Sequence, residues 1–235
     1  MKVRTRNVII DSDYSTQEPR ILYQFCNGKD NIFDKDIYVH IASIAFNLPY
    51  EECLDGTQSR QMAKKVLLGI IYGQSMWSVA KELNCNTKEA EKIRDAIYKE
   101  FPDFKKFEQL SKEQVKEKGY TTTIWGRRRH LPDYNLEDIS GNKKRISRAE
   151  RQIINSRIQG SAADMIKKAI SNIYNNSILQ KMNIKILLPI HDELLIQVPI
   201  KYQDEAKSII EQEMTQIEGF NIPLKCDITV GDYWE

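Results

Sequence analysis

Ile184-Lys-Ile-Leu-Leu-Pro-Ile-His-Asp-Glu-Leu-Leu-Ile-Gln-Val198 decides the fold. Two β-rich apolar runs flank one short acidic tip, which predicts a hairpin with Asp192 and Glu193 on its turn. Carboxylates at the end of a rigid ribbon cost stability unless something cationic neutralises them. A second ribbon end of this kind lies near the start, where Asn7-Val-Ile-Ile runs into Asp11-Ser-Asp13. Two Asp-bearing strand ends, far apart in sequence, are what holding a pair of metal ions between them requires. That chemistry points to phosphoryl or nucleotidyl transfer.

Between these ends the chain reads as mostly helical. Helical patterns cover residues 36–46, 58–82, 89–101 and 104–118, the last two stopped by Pro102 and Gly119. Residues 121–125 are strand-like, 135–144 form a polar loop, and a long helix covers 147–179 with a bend at Gly160. A helix over 203–218 and a strand over 224–230 follow the hairpin. Strands at both ends around a helical middle predict an α+β fold, a small antiparallel sheet split by a helical insertion.

The 235 residues suffice for a sizeable core in one unit or two closely joined lobes. With 41% hydrophobic and 29% charged residues, a soluble globular chain is expected. No apolar run approaches a membrane span. The start, Met1-Lys-Val-Arg-Thr-Arg, is basic, but Asp11 and Asp13 follow before any signal-peptide core could form, so a cytoplasmic location and no membrane partner are expected. Cys26, Cys53, Cys85 and Cys226 are scattered without a Cys-x-x-Cys pair, which predicts reduced, structural thiols. A net charge of only +2 means that any binding of nucleic acid needs positive charge concentrated locally.

Such a concentration occurs in residues 58–73. Arg60, Lys64, Leu68 and Tyr72 fall four apart and share one helical stripe, while Ala63, Val66, Leu67 and Ile70 form an apolar stripe that packs inward. Two cations, an apolar side chain and an aromatic ring in that order suit a nucleoside triphosphate lying along the helix, phosphates at the Arg/Lys end. A solvated basic face is the plain alternative. Gly69 and Gly73 speak against it, because mid-helix glycines are costly unless something approaches closely.

The pattern Arg60-x3-Lys64-x7-Tyr72-Gly73 resembles the fingers helix of family A DNA polymerases. Asp13-Tyr-Ser-Thr-Gln-Glu-Pro-Arg20 resembles the family's first palm motif and His191-Asp-Glu193 its last. The segment from Glu150 to Asp164 is similar to the helix that touches the primer-template minor groove, and Gln17-Glu-Pro-Arg20 is most similar to bacteriophage-type members. The resemblance implies an antiparallel palm sheet in two parts, residues 1–33 and 130–235, around a largely helical fingers insertion, residues 34–129. It implies a template-directed DNA polymerase that uses two Mg²⁺ ions, with primer-template DNA and dNTP as partners.

Carried over residue by residue, the resemblance gives Asp13, Asp192 and the Tyr14 carbonyl as metal ligands, with Glu193 in a supporting role. Arg60 and Lys64 would neutralise the triphosphate, Lys64 also protonating pyrophosphate, and Tyr72 would stack at the nascent base pair. Glu18 would exclude a ribose 2′-hydroxyl beside Tyr72. Leu68 stands where the family has Phe or Tyr and implies rejection of dideoxynucleotides. Tyr38 stands where many relatives have a triphosphate-contacting His, and the role is not transferred to His40. Arg151, Asn155 and Gln159, again four apart, would donate to minor-groove acceptors common to every base pair, next to a buried Ile154, Ile158 and Met165 stripe. His191 joins them as a DNA contact. Arg127, Arg128 and Arg129 would touch backbone or acidic partners within the palm.

The thumb and 3′–5′ exonuclease that family members carry ahead of the first palm motif have no counterpart here. Two sources for them stay open: a second polypeptide, or a longer chain of which this sequence is a fragment. A non-catalytic nucleic-acid or nucleotide-binding remnant is the alternative from another class. A metal-dependent phosphodiesterase explains the carboxylates but not the basic stripe.

Overall fold

The computed structural model describes residues 6–26, 33 and 35–233; the basic start, residues 1–5, lies outside them. The chain divides into two compact units, Met1–Arg20 with Ser161–Glu235, and Ile21–Gly160. Both divisions expected from the sequence, after residue 33 and after residue 129, fall inside the second unit.

The first unit is built on an antiparallel sheet of β1 (Asn7–Tyr14), β4 (Lys185–Ile190), β5 (Glu193–Pro199) and β6 (Cys226–Gly231), in the order β4-β5-β1-β6. Alternation along β1 buries Val8, Ile10, Ser12 and Tyr14, and β5 buries Leu194, Ile196 and Val198. Helix α9 (Gln203–Thr215) packs on β1, β5 and β6, burying Ala206, Ile210 and Met214. The predicted hairpin is β4–β5, with one correction. Its turn is His191-Asp192, and Glu193 is already the first residue of β5. His191 adopts a left-handed φ of 54°, which closes so short a connection. In edge strand β4 the register shifts between Ile186 and Leu188, and Leu187 and Leu188 are 49% and 46% exposed.

The second unit is helical. It holds α2 (Ile37–Phe46), α3 (Gln58–Ile71), α4 (Met76–Leu83), α5 (Thr87–Glu100) and α6 (Pro102–Lys118), with a hairpin of β2 (Tyr120–Thr122) and β3 (Arg128–His130). An unforeseen helix, α1 (Gln17–Phe25), follows β1 across the division. The single helix expected over 58–82 is broken after Ile71. Gly73 turns the chain at φ 65°, and a Cβ there would lie 2.9 Å from the Arg151 Cα. Ser75 then caps α4 by accepting the Ser78 N–H. At Gly69 a Cβ would meet Val79 Cγ2 at 2.6 Å. Both glycines therefore serve close approach of the protein's own chain, so they no longer argue for a ligand along the stripe.

Helix α7 (Lys143–Asn175) begins earlier than expected and continues through Gly160 without interruption. A Cβ at Gly160 would lie 2.8 Å from Thr123 Cγ2, and Arg127 Nη2 donates to the Gly160 carbonyl at 2.8 Å. The glycine thus admits the β2–β3 connection in place of bending the helix. A separate helix, α8 (Ser177–Met182), starts at the Asn176 cap. Arg157, on α7, lies 4.4 and 4.9 Å from the Phe25 and Phe107 ring centroids and donates to Ser111 Oγ at 2.7 Å. Burial lowers its guanidinium to about 10.

The paired effects of Gly73 can be separated with Gly56, which also has a positive φ (87°) but nothing within 4 Å of its missing Cβ. Chemical denaturation of Gly56→Ala is expected to show a loss of about 1 kcal/mol from backbone strain alone. Gly73→Ala should lose at least about 2 kcal/mol more, because the Arg151 backbone must also move. Equal losses would contradict the close-approach reading.

Candidate functional site

Three carboxylates face each other across the end of the first unit's sheet. Asp13 on central β1 is in register with Glu193 on β5 and with Asp227 on β6. Asp192 joins them from the hairpin turn, whose carbonyl accepts the Tyr14 N–H at 3.3 Å. The Tyr14 ring is buried and its hydroxyl donates to the Met214 carbonyl at 2.6 Å, so α9 anchors the strand end. Burial also pushes the Tyr14 hydroxyl pKa upward. Asp13 and Asp192, distant in sequence, thus converge.

The exposed Asp13 carboxyl is raised to about 6, first by partial loss of hydration and then by Asp192, Glu193 and Asp227, and only a hydrogen bond from the Tyr14 backbone favours the charged form. Such a carboxylate lacks compensation for its charge. It fits a hard divalent cation such as Mg²⁺, which needs few protein carboxylates and takes its other oxygens from phosphate and water. No group of three or more His, Cys, Asp or Glu among the described residues is already gathered as a complete metal site.

Just past β1 the backbone is held tightly. Thr16 adopts a left-handed φ of 53°, uncommon for a β-branched residue. Buried Arg20 donates to the Ser15 carbonyl and to Thr16 Oγ1, each at 3.0 Å, and to the Pro223 carbonyl. Ser15 donates its N–H to the Lys225 carbonyl at 2.9 Å and its hydroxyl to Asp227. These bonds tie the end of β1 to the start of β6. Glu18 sits in the first turn of α1, half-buried.

The second unit carries the cations. On α3 the apolar stripe is buried as expected, with Ala63, Val66 and Leu67 at 0% and Ile70 at 6% exposure. Arg60, Leu68 and Tyr72 are half-buried and Lys64 is exposed; Tyr72 lies at the C-cap of α3, one position past its last turn. The buried Tyr38 ring lies beneath both cations, 5.5 Å from Arg60 Cζ and 5.7 Å from Lys64 Nζ. Cation–π attraction at such distances lets one ring engage both like charges. His40 points to a different partner, Glu100, at 3.1 Å.

On α7, Arg151 and Gln159 are exposed and Asn155 is half-buried, while Ile154, Ile158 and Met165 are buried. Arg151 donates to Ser147 Oγ at 2.9 Å, four residues earlier on the same face. His191 is exposed at the hairpin turn. Within the arginine run, Arg127 is committed to the Gly160 carbonyl and Arg128 stacks over Tyr120 at 4.8 Å.

Several residues of this arrangement went unnoticed in the sequence. Asp227 is a lone acid in a strand, and only the β1–β6 pairing brings it to Asp13; an acid at the matching end of the last strand was the available signal. Asp36, which receives Arg60 at 2.8 and 3.0 Å, was signalled by its place just before an apolar helix. Arg20 lies in a motif whose spacing signals no role for it; its bonds to Ser15, Thr16 and Pro223 exist only in the fold.

Residues 2–235 match the family model for DNA polymerase family A. The chain is 36% identical over 239 residues to DNA polymerase I of Borreliella burgdorferi, covering 99% of this chain and 25% of that protein. It is 34% identical over 232 residues to DNA polymerase I of Bacillus caldotenax, covering 97% and 26%. The chain thus spans about a quarter of the length of these curated relatives. Among solved structures, the POL domain of Pol1 from M. smegmatis, in complex with DNA primer-template and dNTP, superposes with a TM-score of 0.88 at 29% identity, over 99% of this chain and 41% of that one.

The charge crowding at Asp13 has a measurable cost. A carboxyl raised from 3.8 to about 6 in the folded chain destabilises it fully above pH 6, and the penalty fades as pH falls towards 3.8. Asp13 is open to water, which screens the effect. In chelator at pH 7.5, Asp13→Asn is expected to melt about 2–4 °C above the parent chain, the shift from ~1 kcal/mol at this size. The gain should vanish near pH 4. A variant that melts lower at pH 7.5 would contradict the uncompensated-charge reading.

Proposed function

Because the chain belongs to DNA polymerase family A, we propose that it is a DNA-directed DNA polymerase, transferring a deoxynucleotide from dNTP to a primer 3′-hydroxyl under the direction of a template. The observation that carries this reading is the meeting of Asp13 and Asp192 at one sheet end, in a carboxylate group short of positive charge. Asp13, Asp192 and the Tyr14 carbonyl would hold two Mg²⁺ ions, with Glu193 in support. Bound there, the ions supply activation of the 3′-hydroxyl and neutralisation of the triphosphate and leaving pyrophosphate.

The chain's own side chains supply the remainder. Arg60 and Lys64 bind the triphosphate oxygens, and Lys64, the more exposed of the two, delivers a proton to pyrophosphate. Tyr72 stacks on the incoming base, Tyr38 supports both cations from below, and Leu68 offers no hydroxyl in place of a missing sugar 3′-hydroxyl. Glu18 limits space at the sugar 2′ position. Arg151, Asn155, Gln159 and His191 contact the primer-template. Residues 1–33 and 130–235 act as palm and residues 34–129 as fingers. The bacteriophage-type affinity rests on Gln17-Glu-Pro-Arg20, whereas the relatives above are bacterial. Among the described residues no helix is long and apolar enough to cross a membrane, in keeping with action on DNA in a cytoplasm.

Primer extension with Mg²⁺ and dNTPs, with and without a thumb-bearing partner, tests the reading. Asp192→Asn is expected to reduce extension by at least about 10³-fold, as loss of a charged group acting on the transition state does. Glu18→Ala should leave dNTP extension measurable and raise ribonucleotide incorporation sharply. Extension that survives Asp192→Asn would remove the catalytic assignment, and unchanged sugar discrimination would remove that of Glu18.

A further inference from the structure

Arg60 is held by two aspartates of different character. Its Nε and Nη2 donate to one oxygen of Asp36, at 3.0 and 2.8 Å. The other oxygen of Asp36 is the N-cap of α2, accepting the Tyr38 N–H at 2.8 Å and the Val39 N–H at 3.2 Å. Asp36 is therefore fixed by the backbone of one helix while it orients a guanidinium on another. Arg60 Nη1 pairs separately with Asp55 at 2.7 Å. The Asp55 side chain is 88% exposed, on the turn before α3, whereas the Asp36 and Arg60 side chains are 33% and 18% exposed.

We propose that Asp36 is a positioning residue that sets Arg60 for a polyphosphate, and that Asp55 is an internal counter-anion which the polyphosphate displaces. The inference rests on the reading of Arg60 as a triphosphate ligand and deepens it. Arg60 binds its two partners through different nitrogens, so Asp55 can leave without disturbing the edge that Asp36 holds. A guanidinium has more N–H donors than these bonds use, so donors remain for a second anion. The exposed pair with Asp55 is the weak one, open to water and to ionic screening. The pair with Asp36 is charge-assisted, half-buried and anchored by the cap, and it restricts the plane of the guanidinium over the Tyr38 ring. Asp36 lowers the entropy lost when an anion binds; Asp55 competes with that anion.

The two roles predict opposite signs for substitutions that remove the same charge. Isothermal titration of the whole chain with inorganic tripolyphosphate reads them without relying on polymerase activity. Asp55→Asn is expected to tighten binding about two- to fivefold, the range of an exposed ion pair. Asp36→Asn retains a strong N-cap, keeping α2 in place, and is expected to weaken binding about tenfold through loss of a charge-assisted bond. Asp95→Asn, a remote change of the same charge, controls for net charge, and the Asp55→Asn effect must exceed it. If Asp36→Asn loses helical circular dichroism, Asp36→Ser, another good cap, takes its place. Tightening by both variants, or no change on Asp55→Asn, overturns the proposal. Arg60→Gln separates the levels: if it binds tripolyphosphate as the parent chain does, the reading of Arg60 as an anion ligand fails first.

Discussion

Antiparallel register across β5, β1 and β6 sets Asp13 between Glu193 and Asp227, and the rest of the sheet end is arranged around that strained choice. Like charges directly opposite one another destabilise a sheet. The register persists because the buried residues of β1 and β5 leave no alternative: a slip of one residue would turn Ile10 and Ile196 outward and the acids into the core. Tyr14, anchored on α9, and Arg20, spanning Ser15 to Pro223, hold the strand end against the repulsion. Apolar burial on one face thus sustains an electrostatic deficit on the other.

The helical unit presents the complementary condition. Arg60 and Lys64 both approach one buried ring, and the Arg60 charge is met by Asp36 and Asp55, neither of them on α3. One unit has carboxylates short of compensating positive charge; the other has a guanidinium held by one half-buried and one exposed aspartate.

Much of this was legible in the sequence where burial has a simple period. The first strand, the β4–β5 hairpin and the apolar stripe of α3 are legible because side chains that must be buried repeat at the spacing of the element. The break after Ile71 is not legible because the 58–82 pattern keeps a helical period across it, and the Arg151 backbone that requires a glycine at 73 is remote in sequence. The same kind of contact, with Thr123, explains why Gly160 sits in an unbroken helix. Helix α1 is short and carries Pro19 in its first turn, where Pro is well tolerated, so its local signal is weak. Asp227 and Asp36 matter through partners that only tertiary pairing supplies, and no local spacing encodes those.

The irregular edge strand has a consequence for the molecule among its own copies. An unpaired strand rim is a template on which neighbouring chains can extend a sheet, and the exposed Leu187 and Leu188 would favour such growth. The register shift at that point breaks the regular spacing of the strand, and Pro189, in the same strand, has no amide hydrogen to offer. Leu-rich as it is, this rim is a poor seed for fibrils.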